Sequence, residues 1–141
     1  LYVQTALLLS WIHAATGKGC FVRFSQVTMF DGSKKQLRDV QPGDLVRSWD
    51  EQKKQQTWST VKAAPRFHRA ATDVVEVHLG STVLFATVDH PFWSASQNST
   101  VAVHPHRTAE EYGIPAGPMT AGMDLEGETL APVQIAMIAP A

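Results

Sequence analysis

The apolar and polar residues of this chain alternate in the way that is typical of short β-strands separated by turns. From Cys20 onward, runs of about five to eight residues rich in β-branched and aromatic side chains are interrupted by Gly, Pro, Asp or Asn roughly every ten residues. DG at 31–32 is a strong hairpin signal, and QPGD at 41–44 marks a second turn. No strand-like run is followed by a long helical pattern. The sequence therefore predicts an all-β fold of short antiparallel strands and hairpins.

The predicted strands share this short, turn-bounded pattern. They are CFVRFSQVTMF (20–30), LVRSW (45–49), TWSTVKAA (57–64), DVVEVHL (73–79) and APVQIAMIA (131–139). EQKKQQ at 51–56 is predicted to be a solvated loop. TAEEYG at 108–113 predicts one or two helical turns, with Thr108 as the cap and Glu110 and Glu111 in the first turn.

The stretch GSTVLFATVDHPFW at 80–93 is expected to be the functional centre around which the rest of the chain is organised. It predicts a strand over Thr82–Ala86 that leads into Thr87 and His90, three residues apart, and stops at Pro91. A hydroxyl and an imidazole at this spacing can converge on one bond. With Cys20 as the available nucleophile, this pattern suggests acyl transfer that uses the protein's own backbone as substrate.

Composition narrows the class of protein. The chain has 141 residues, 44% hydrophobic and 18% charged, with a formal net charge of −1, which predicts one domain and no nucleic-acid partner. A single cysteine excludes an internal disulfide and a cysteine-built zinc site, so Cys20 is either a buried inert thiol or a reactive group. His104 and His106 form an HxH pair without a cysteine partner or a carboxylate at matching spacing, and we expect no metal site here.

Residues 1–18 are predicted to be an upstream segment or linker. The LLLSWIHAA run within them is too short and too interrupted to span a membrane. It is compatible with the end of a secretory signal, or with the tail of a preceding domain in a longer protein, which we favour because no basic region precedes it. The triplet Asn98-Ser99-Thr100 fits a glycosylation acceptor and is also an ordinary turn. A secreted or cell-surface location is therefore left open.

Several of these motifs together resemble a known family. Cys20 after Gly19, then VTMFDGSKKQLRDVQPGDLVRSWD, then TVLFATVDHPFW, are similar to the Hint domain shared by inteins, bacterial intein-like domains and the C-terminal half of Hedgehog proteins. WSTVKAAPRFHR resembles the segment before the TxxH strand in Hedgehog-type members and adds His68 as a candidate catalytic residue. The resemblance covers residues 19–135. It implies a Hint domain over residues 19–141.

The resemblance implies a reaction. Cys20 would attack the carbonyl of Gly19 and convert the peptide bond into a thioester, and His90 would protonate the departing nitrogen. An imidazole with an ordinary pKa near ~6.5 suits that role, and positioned proton transfer is worth about 10²–10⁴-fold. Thr87 would hydrogen-bond the scissile peptide, and Gly19 tolerates unusual dihedral angles there. The substrate would be the chain's own upstream polypeptide, cleaved once in cis by a monomer without any cofactor.

The C-terminal sequence departs from the splicing pattern. Splicing inteins end in His-Asn, whereas this sequence ends in IAMIAPA, so we expect the domain to be C-terminally incomplete and to lack its last strands. The thioester would then pass to an external nucleophile: water, an amine or a sterol hydroxyl. Two alternatives stay open, a non-catalytic β module such as a decayed Hint domain, and a cysteine peptidase that acts in trans through Cys20 and His90.

Overall fold

The computed structural model describes residues 20–50, 52–53, 55–126 and 132–141, which form two compact units. The first unit contains Arg23–Arg66. The second contains residues 20–22 together with Phe67–Ala141. Within the described residues there are eleven short strands and one α-helix, and the all-β prediction is confirmed. In this part of the chain, no helix has the length and apolar character needed to cross a membrane.

Two antiparallel hairpins build the first unit. Its strands are β1 (Gln26–Thr28), β2 (Lys34–Gln36), β3 (Leu45–Asp50) and β4 (Gln55–Thr60). β1 pairs with β2, and β3 pairs with β4. The DG turn lies in the first hairpin, where Gly32 has a φ of 84°, a conformation that a glycine adopts without strain. The prediction of a loop over residues 51–56 is wrong at its C-terminal end, because Gln55 and Gln56 belong to β4 and pair with β3.

The second unit contains the remaining strands and the helix. In chain order these are β5 (Val74–Leu79), β6 (Thr82–Thr87), β7 (Phe92–Ser94), β8 (Ser99–Ala102), α1 (Pro105–Tyr112), β9 (Gly117–Pro118), β10 (Asp124–Glu126) and β11 (Pro132–Pro140). A four-stranded antiparallel sheet has the order β10-β11-β5-β6. Its core side chains are apolar and buried: Val75, Val77, Leu84, Ala86, Leu125 and Ile135. Alternation along β5 produces this core, as expected for a sheet with one covered face.

A smaller sheet has the order β7-β8-β9. β8 and β9 run parallel, so the prediction of antiparallel pairing holds for every other strand pair described but not for this one. The long connection through α1 allows the parallel pairing.

The helix boundaries differ from the prediction. α1 begins at Pro105, which suits the first helical position because proline lacks an N–H and has a fixed φ. Thr108 is therefore inside the helix and fully buried instead of capping it, and Glu111 lies in the last turn instead of the first. Gly113 ends the helix with a φ of 66°.

The segment predicted as one strand over residues 20–30 is two separate pieces. Gln26–Thr28 is β1, whereas residues 20–22 lie along the edge of β6. Phe21 pairs with Ala86, and the Val22 N–H donates to the Phe85 carbonyl at 3.1 Å. This edge pairing brings Cys20 to the end of the strand that carries Thr87.

Candidate functional site

The edge pairing joins Cys20 to Thr87 by two hydrogen bonds. The backbone N–H of Cys20 donates to the Thr87 hydroxyl, with 3.0 Å between N and Oγ1. The backbone N–H of Thr87 donates to the Cys20 carbonyl at 2.9 Å. The nitrogen of Cys20 belongs to the peptide bond that follows Gly19, which itself lies outside the described residues. The Thr87 side chain thus contacts the nitrogen of the predicted scissile bond.

His90 is buried beside the same segment. Its side chain is 7% exposed, and its ring lies 4.2 Å from the ring of Phe21 and 4.9 Å from the ring of Phe92, centroid to centroid. The chain turns after β6, where the His90 N–H donates to the Thr87 carbonyl at 3.0 Å. Because Phe21 follows Cys20 directly, the imidazole lies next to the residue that adjoins the predicted nucleophile. Cys20, Thr87 and His90 are therefore gathered in one region of the second unit.

His68 does not share the surroundings of Cys20, Thr87 and His90. It is exposed on the segment that precedes β5, and no described contact joins it to Cys20, Thr87 or His90. The residue after it, Arg69, does reach the site: its side chain is 15% exposed and its guanidinium contacts two carboxylates. The assignment of His68 as a catalytic residue stays a prediction.

A buried charge network adjoins the TxxH turn. The Asp89 carboxylate is fully buried and accepts a hydrogen bond from Arg69 Nη2 at 2.8 Å. The same nitrogen donates to Glu111 Oε2 at 3.2 Å. The Tyr112 hydroxyl donates to Asp89 Oδ2 at 3.3 Å. One arginine thus bridges two carboxylates that come from the turn after β6 and from α1.

Thr108 fixes the helix to the same turn. Its hydroxyl is buried and is within hydrogen-bond distance of the Asp89 carbonyl at 3.0 Å and of the His104 carbonyl at 3.2 Å. The preceding residue, Arg107, donates to the Asp73 carboxylate at 2.9 Å. These contacts hold α1 against the TxxH turn and so set the position of Glu111.

Sequence analysis missed Arg69, Asp89 and Glu111 as members of the site. Their separations along the chain are 20 and 42 residues, which no local pattern reveals. One signal was present: Asp89 stands inside an apolar run that ends β6, and a charged residue in a buried segment needs a partner of opposite charge.

The electrostatic environment keeps the Cys20 thiol protonated at neutral pH. Burial is the main cause that raises the pKa of Cys20; the Arg69 charge lowers it, and the charges of Asp89 and Glu111 raise it. A thiol in this state is a weak nucleophile, since the thiolate is the attacking form. If Cys20 acts as the predicted nucleophile, its thiol has to lose a proton before or during the attack.

The pKa values of Asp89 and Glu111 are shifted from their ordinary values in opposite directions. Burial acts to raise the pKa of Asp89, but the neighbouring polar groups of Thr87 and Glu111 and the Arg69 charge together hold it below its ordinary value. Burial, followed by the hydrogen bond with Asp89, raises the pKa of Glu111. Burial likewise raises the pKa of Tyr112, which stays a neutral donor. Asp89 is thus the ionised member of the pair, and Glu111 is the member that takes up a proton more readily.

The described residues contain no group of three or more His, Cys, Asp or Glu side chains arranged to hold a metal ion. His104 and His106 are both exposed at the start of α1.

Comparison with known proteins identifies the family. The family model of the Hint module matches residues 11–103, more than half of the chain. The crystal structure of the gp41-1 intein is similar, with a TM-score of 0.60 and 16% sequence identity, over 89% of this chain and 80% of the intein. A triply substituted variant of that intein gives a TM-score of 0.61 at 15% identity, over 88% and 80% of the two chains.

At these identities the likeness to the solved structures shows the fold. No curated protein matches the sequence significantly. The matched residues include the edge segment, β6 and the TxxH turn, and the chain belongs to the Hint module family of self-processing and splicing-related domains.

Proposed function

We propose that this domain cleaves its own chain at the Gly19–Cys20 bond through an N-to-S acyl shift. The Cys20 sulfur forms a bond to the Gly19 carbonyl carbon, and the bond from that carbon to the Cys20 nitrogen breaks. The nitrogen gains a proton and becomes an amine, while the thiol loses its proton. The product of this step is a thioester between the upstream polypeptide and Cys20.

The contact between the Cys20 N–H and the Thr87 hydroxyl is the observation that supports this proposal most strongly. It engages the nitrogen that has to depart, and this nitrogen changes from a planar amide into a tetrahedral amine. A hydroxyl at 3.0 Å can follow that change, because it accepts a hydrogen bond from either form. Nucleophile and electrophile are neighbours in one chain, so proximity is provided by covalent structure.

His90 is the proton donor in this proposal. Its ring is enclosed by two phenylalanine rings, Phe21 and Phe92, which limit the access of water. An enclosed imidazole next to the reacting segment delivers its proton to the departing nitrogen and not to solvent. Asp89 adjoins it in the same turn and is held by Arg69, so the backbone is anchored at the residue just before His90.

The thioester is resolved in the proposal by an external nucleophile: water, an amine or a sterol hydroxyl. The domain thus acts once, in cis, on its own upstream polypeptide. A peptidase that acts in trans would need a cleft at Cys20. A cleft in the described part of the first unit is lined by Met29, Phe30, Asp31, Ser33, Lys34, Lys35 and Leu45, and neither Cys20 nor His90 is among these residues.

The test is release of a carrier protein fused to Leu1 of the full chain. We expect dithiothreitol to release the carrier from the native sequence, because a thiol exchanges with the thioester. Cys20→Ala should abolish release, and His90→Ala should slow it by about 10²–10⁴-fold, the usual worth of a positioned proton donor. Circular dichroism of each variant shows whether the fold is kept.

The outcomes separate the three functions that the sequence left open. A folded native chain that stays intact in dithiothreitol would support a decayed, non-catalytic module. Cleavage of an added peptide with turnover would favour a peptidase in trans. Release whose rate does not depend on protein concentration is expected for cleavage in cis.

A further inference from the structure

The hairpin of β3 and β4 in the first unit has an open strand edge. Within the described residues it is a sheet of two strands, in one continuous register from the pair Leu45 and Thr60 to the pair Asp50 and Gln55. On its other side β3 contacts the first hairpin, where the Phe30 N–H donates to the Leu45 carbonyl at 3.0 Å. β4 has no second neighbouring strand in this part of the chain and is therefore an edge strand.

Alternation along β4 decides which backbone groups meet this edge. Val61, just after the strand, donates its N–H to the Asp44 carbonyl and accepts the Gly43 N–H, both at 2.8 Å, so its polar groups point toward the start of β3. Because this direction alternates from residue to residue in an antiparallel pair, the polar groups of Thr60 and Trp58 point away from β3. No backbone group of another described strand or loop bonds to Trp58 or Thr60 there. Their N–H and C=O groups can therefore pair with an added strand.

β4 lacks the features that usually keep an edge strand from pairing. Over Gln55–Thr60 it contains no proline and no charged residue, and its register with β3 has no bulge. Lysines lie beyond its two ends instead. Lys53, in the turn before the strand, has a side chain that is 70% exposed, and Lys62 is exposed two residues after the strand. The edge is thus open along its length and positively charged at both ends.

An apolar platform lies beside this edge, on the face of the hairpin opposite to the buried Val46. Trp58 is 38% exposed there, and its ring lies 5.2 Å from the ring of Phe30, centroid to centroid. Phe30 is 57% exposed and Leu45 is 42% exposed. Arg47 pairs with Trp58 in the register, and its guanidinium carbon lies 5.5 Å from the centre of the indole ring. Every second side chain of an added strand would pack on this platform, since side chains alternate between the two faces of a sheet.

The first unit also has an excess of positive charge. Residues 23–66 contain nine Lys and Arg but five Asp and Glu, whereas residues 67–141 contain two Lys and Arg but eight Asp and Glu. The small net charge of the whole chain therefore conceals a basic unit and an acidic one. The basic unit attracts anionic partners and repels cationic ones.

The two flanking lysines oppose pairing of this edge with a second copy of itself. If two copies paired through β4 around a two-fold axis, Gln55 would lie opposite Thr60, and Lys53 would lie opposite Lys62 at both ends. Like charges that lie directly opposite each other destabilise a strand pair. An acidic strand would instead place carboxylates against these lysines. A lipid surface or a nucleic acid could match the charge but has no peptide groups to pair with the open edge.

We propose that the edge of β4 binds an extended acidic segment of a partner polypeptide, which adds to the hairpin as a third strand. Its backbone pairs with Trp58 and Thr60, its apolar side chains pack on Trp58 and Phe30, and its carboxylates lie near Lys53 and Lys62. The residues of the proposed self-cleavage belong to the second unit. The inference therefore goes beyond that function and does not depend on it.

The experiment measures peptide binding to the full chain by fluorescence anisotropy. The probe is a fluorescein-labelled peptide with two glutamates at each end of a Val-Thr-Val-Thr-Val centre, and the control peptide has lysines in place of the glutamates. We expect the glutamate peptide to bind at least about 10-fold more tightly than the lysine peptide, and high salt to weaken it. A glutamate peptide that is N-methylated at all of its central residues cannot donate backbone hydrogen bonds and should bind at least about 10-fold more weakly.

Substitutions in the protein test the two other contributions. Trp58→Ala should weaken binding of the glutamate peptide by about 5- to 10-fold, because a large aromatic anchor is lost. Lys53→Glu/Lys62→Glu should reverse the preference, so that the lysine peptide binds more tightly by about 10-fold. Arg23→Glu/Arg38→Glu is the matched control, since it changes the charge of the same unit equally at exposed positions before β1 and after β2. This control should keep the preference for glutamate, and circular dichroism checks the fold of each variant.

Several outcomes would overturn the proposal. They are equal binding of the glutamate and lysine peptides, equal binding of the N-methylated peptide, and no binding of the glutamate peptide at up to about 1 mM protein. Vesicles of anionic phospholipid, a single-stranded oligothymidine and the chain itself, by sedimentation, are tested in parallel. If one of these binds through Trp58 while the glutamate peptide does not, the surface belongs to that class of partner. None of these measurements requires cleavage, so their outcome and that of the carrier-release experiment are independent.

Discussion

At the scale of single residues, the hydroxyl of Thr87 accepts the backbone N–H of Cys20 at 3.0 Å. Thr87 is buried at the end of β6, so this hydroxyl is shielded from water. A hydroxyl has one hydrogen and two lone pairs, so it can accept this N–H from a planar amide or from a tetrahedral amine. The side chain is therefore placed on the nitrogen of the predicted scissile bond.

Thr87→Val removes this hydroxyl while keeping the β-branched shape of the side chain. We expect carrier release to slow by about 10- to 100-fold, which corresponds to ~1.4–2.8 kcal/mol of lost transition-state stabilisation. The free energy of unfolding should fall by only about 1 kcal/mol, the net worth of one hydrogen bond. Thr82→Val, at the exposed start of β6, is the matched control. Equal rates for the two variants would show that the hydroxyl has no part in the reaction.

The residues that were predictable from sequence are those with a local pattern. Thr87 and His90 lie three positions apart at the end of one strand, and Cys20 is the only thiol. Arg69 and Glu111 belong to the site only through tertiary contacts with Asp89, and nothing in their own neighbourhoods distinguishes them from surface charges. The full set of charged residues could therefore not be derived from the sequence.

At the scale of elements, α1 supports the TxxH turn. Thr108 lies in the middle of the helix, and its buried hydroxyl reaches the carbonyl of Asp89. The backbone N–H of His104, just before the helix, donates to the Val88 carbonyl at 2.8 Å. The helix and the residue before it thus contact the backbone of the turn at two carbonyls, one on either side of the α-carbon of Asp89.

Thr108→Val tests this support. The substitution keeps the volume of the side chain and removes a buried hydroxyl, so we expect the free energy of unfolding to fall by about 1–2 kcal/mol. Urea denaturation followed by circular dichroism measures it. Thr72→Val, at an exposed position before β5, should change the stability by less than about 0.5 kcal/mol. An unchanged stability for Thr108→Val would mean that water or another group replaces the hydroxyl at no cost.

Strands were easier to predict than the helix, for physical reasons. β5 and β6 show clear runs around Gly80, which has a φ of 57° in the connecting turn, and the prediction placed both within one residue of the observed bounds. The helix was predicted to begin at Thr108 because threonine is a good cap, but Pro105 starts it a turn earlier. The burial of Thr108 follows from packing against the turn, which the local sequence does not encode.

At the scale of the whole molecule, paired carboxylates link stability to pH. A hydrogen bond with Arg107 lowers the pKa of Asp73, and a hydrogen bond with Lys35 lowers that of Asp44. The pKa of Asp89 is also lowered, although burial of its carboxylate acts to raise it. A carboxyl group with a lowered folded pKa contributes stability above its unfolded pKa, and this contribution is lost as the pH falls through the folded value. The pKa of Glu111 is raised, so its effect on stability has the opposite sign: stability increases as the pH falls and Glu111 takes up a proton.

We therefore expect the free energy of unfolding to fall steeply below about pH 4, near the unfolded pKa of aspartate. Between neutral pH and that point the stability should stay level or rise slightly, since protonation of Glu111 relieves repulsion from Asp89. Urea titrations at a series of pH values measure both effects, and Glu111→Gln should remove the slight rise while keeping the acid loss. A stability that does not decrease in strong acid would contradict the assignment of these aspartates as ionised and paired.

The central claim is that Cys20 forms a thioester with the carbonyl of Gly19, and trapping that bond with hydroxylamine tests it most directly. The full chain with a carrier fused to Leu1 is incubated in hydroxylamine, and the released fragment is analysed by mass spectrometry. The account predicts a carrier fragment that ends at Gly19 as a hydroxamate, with Cys20 as the new N-terminus of the other fragment, and no release from Cys20→Ala. Cleavage at another bond, or release that persists in Cys20→Ala, would contradict it.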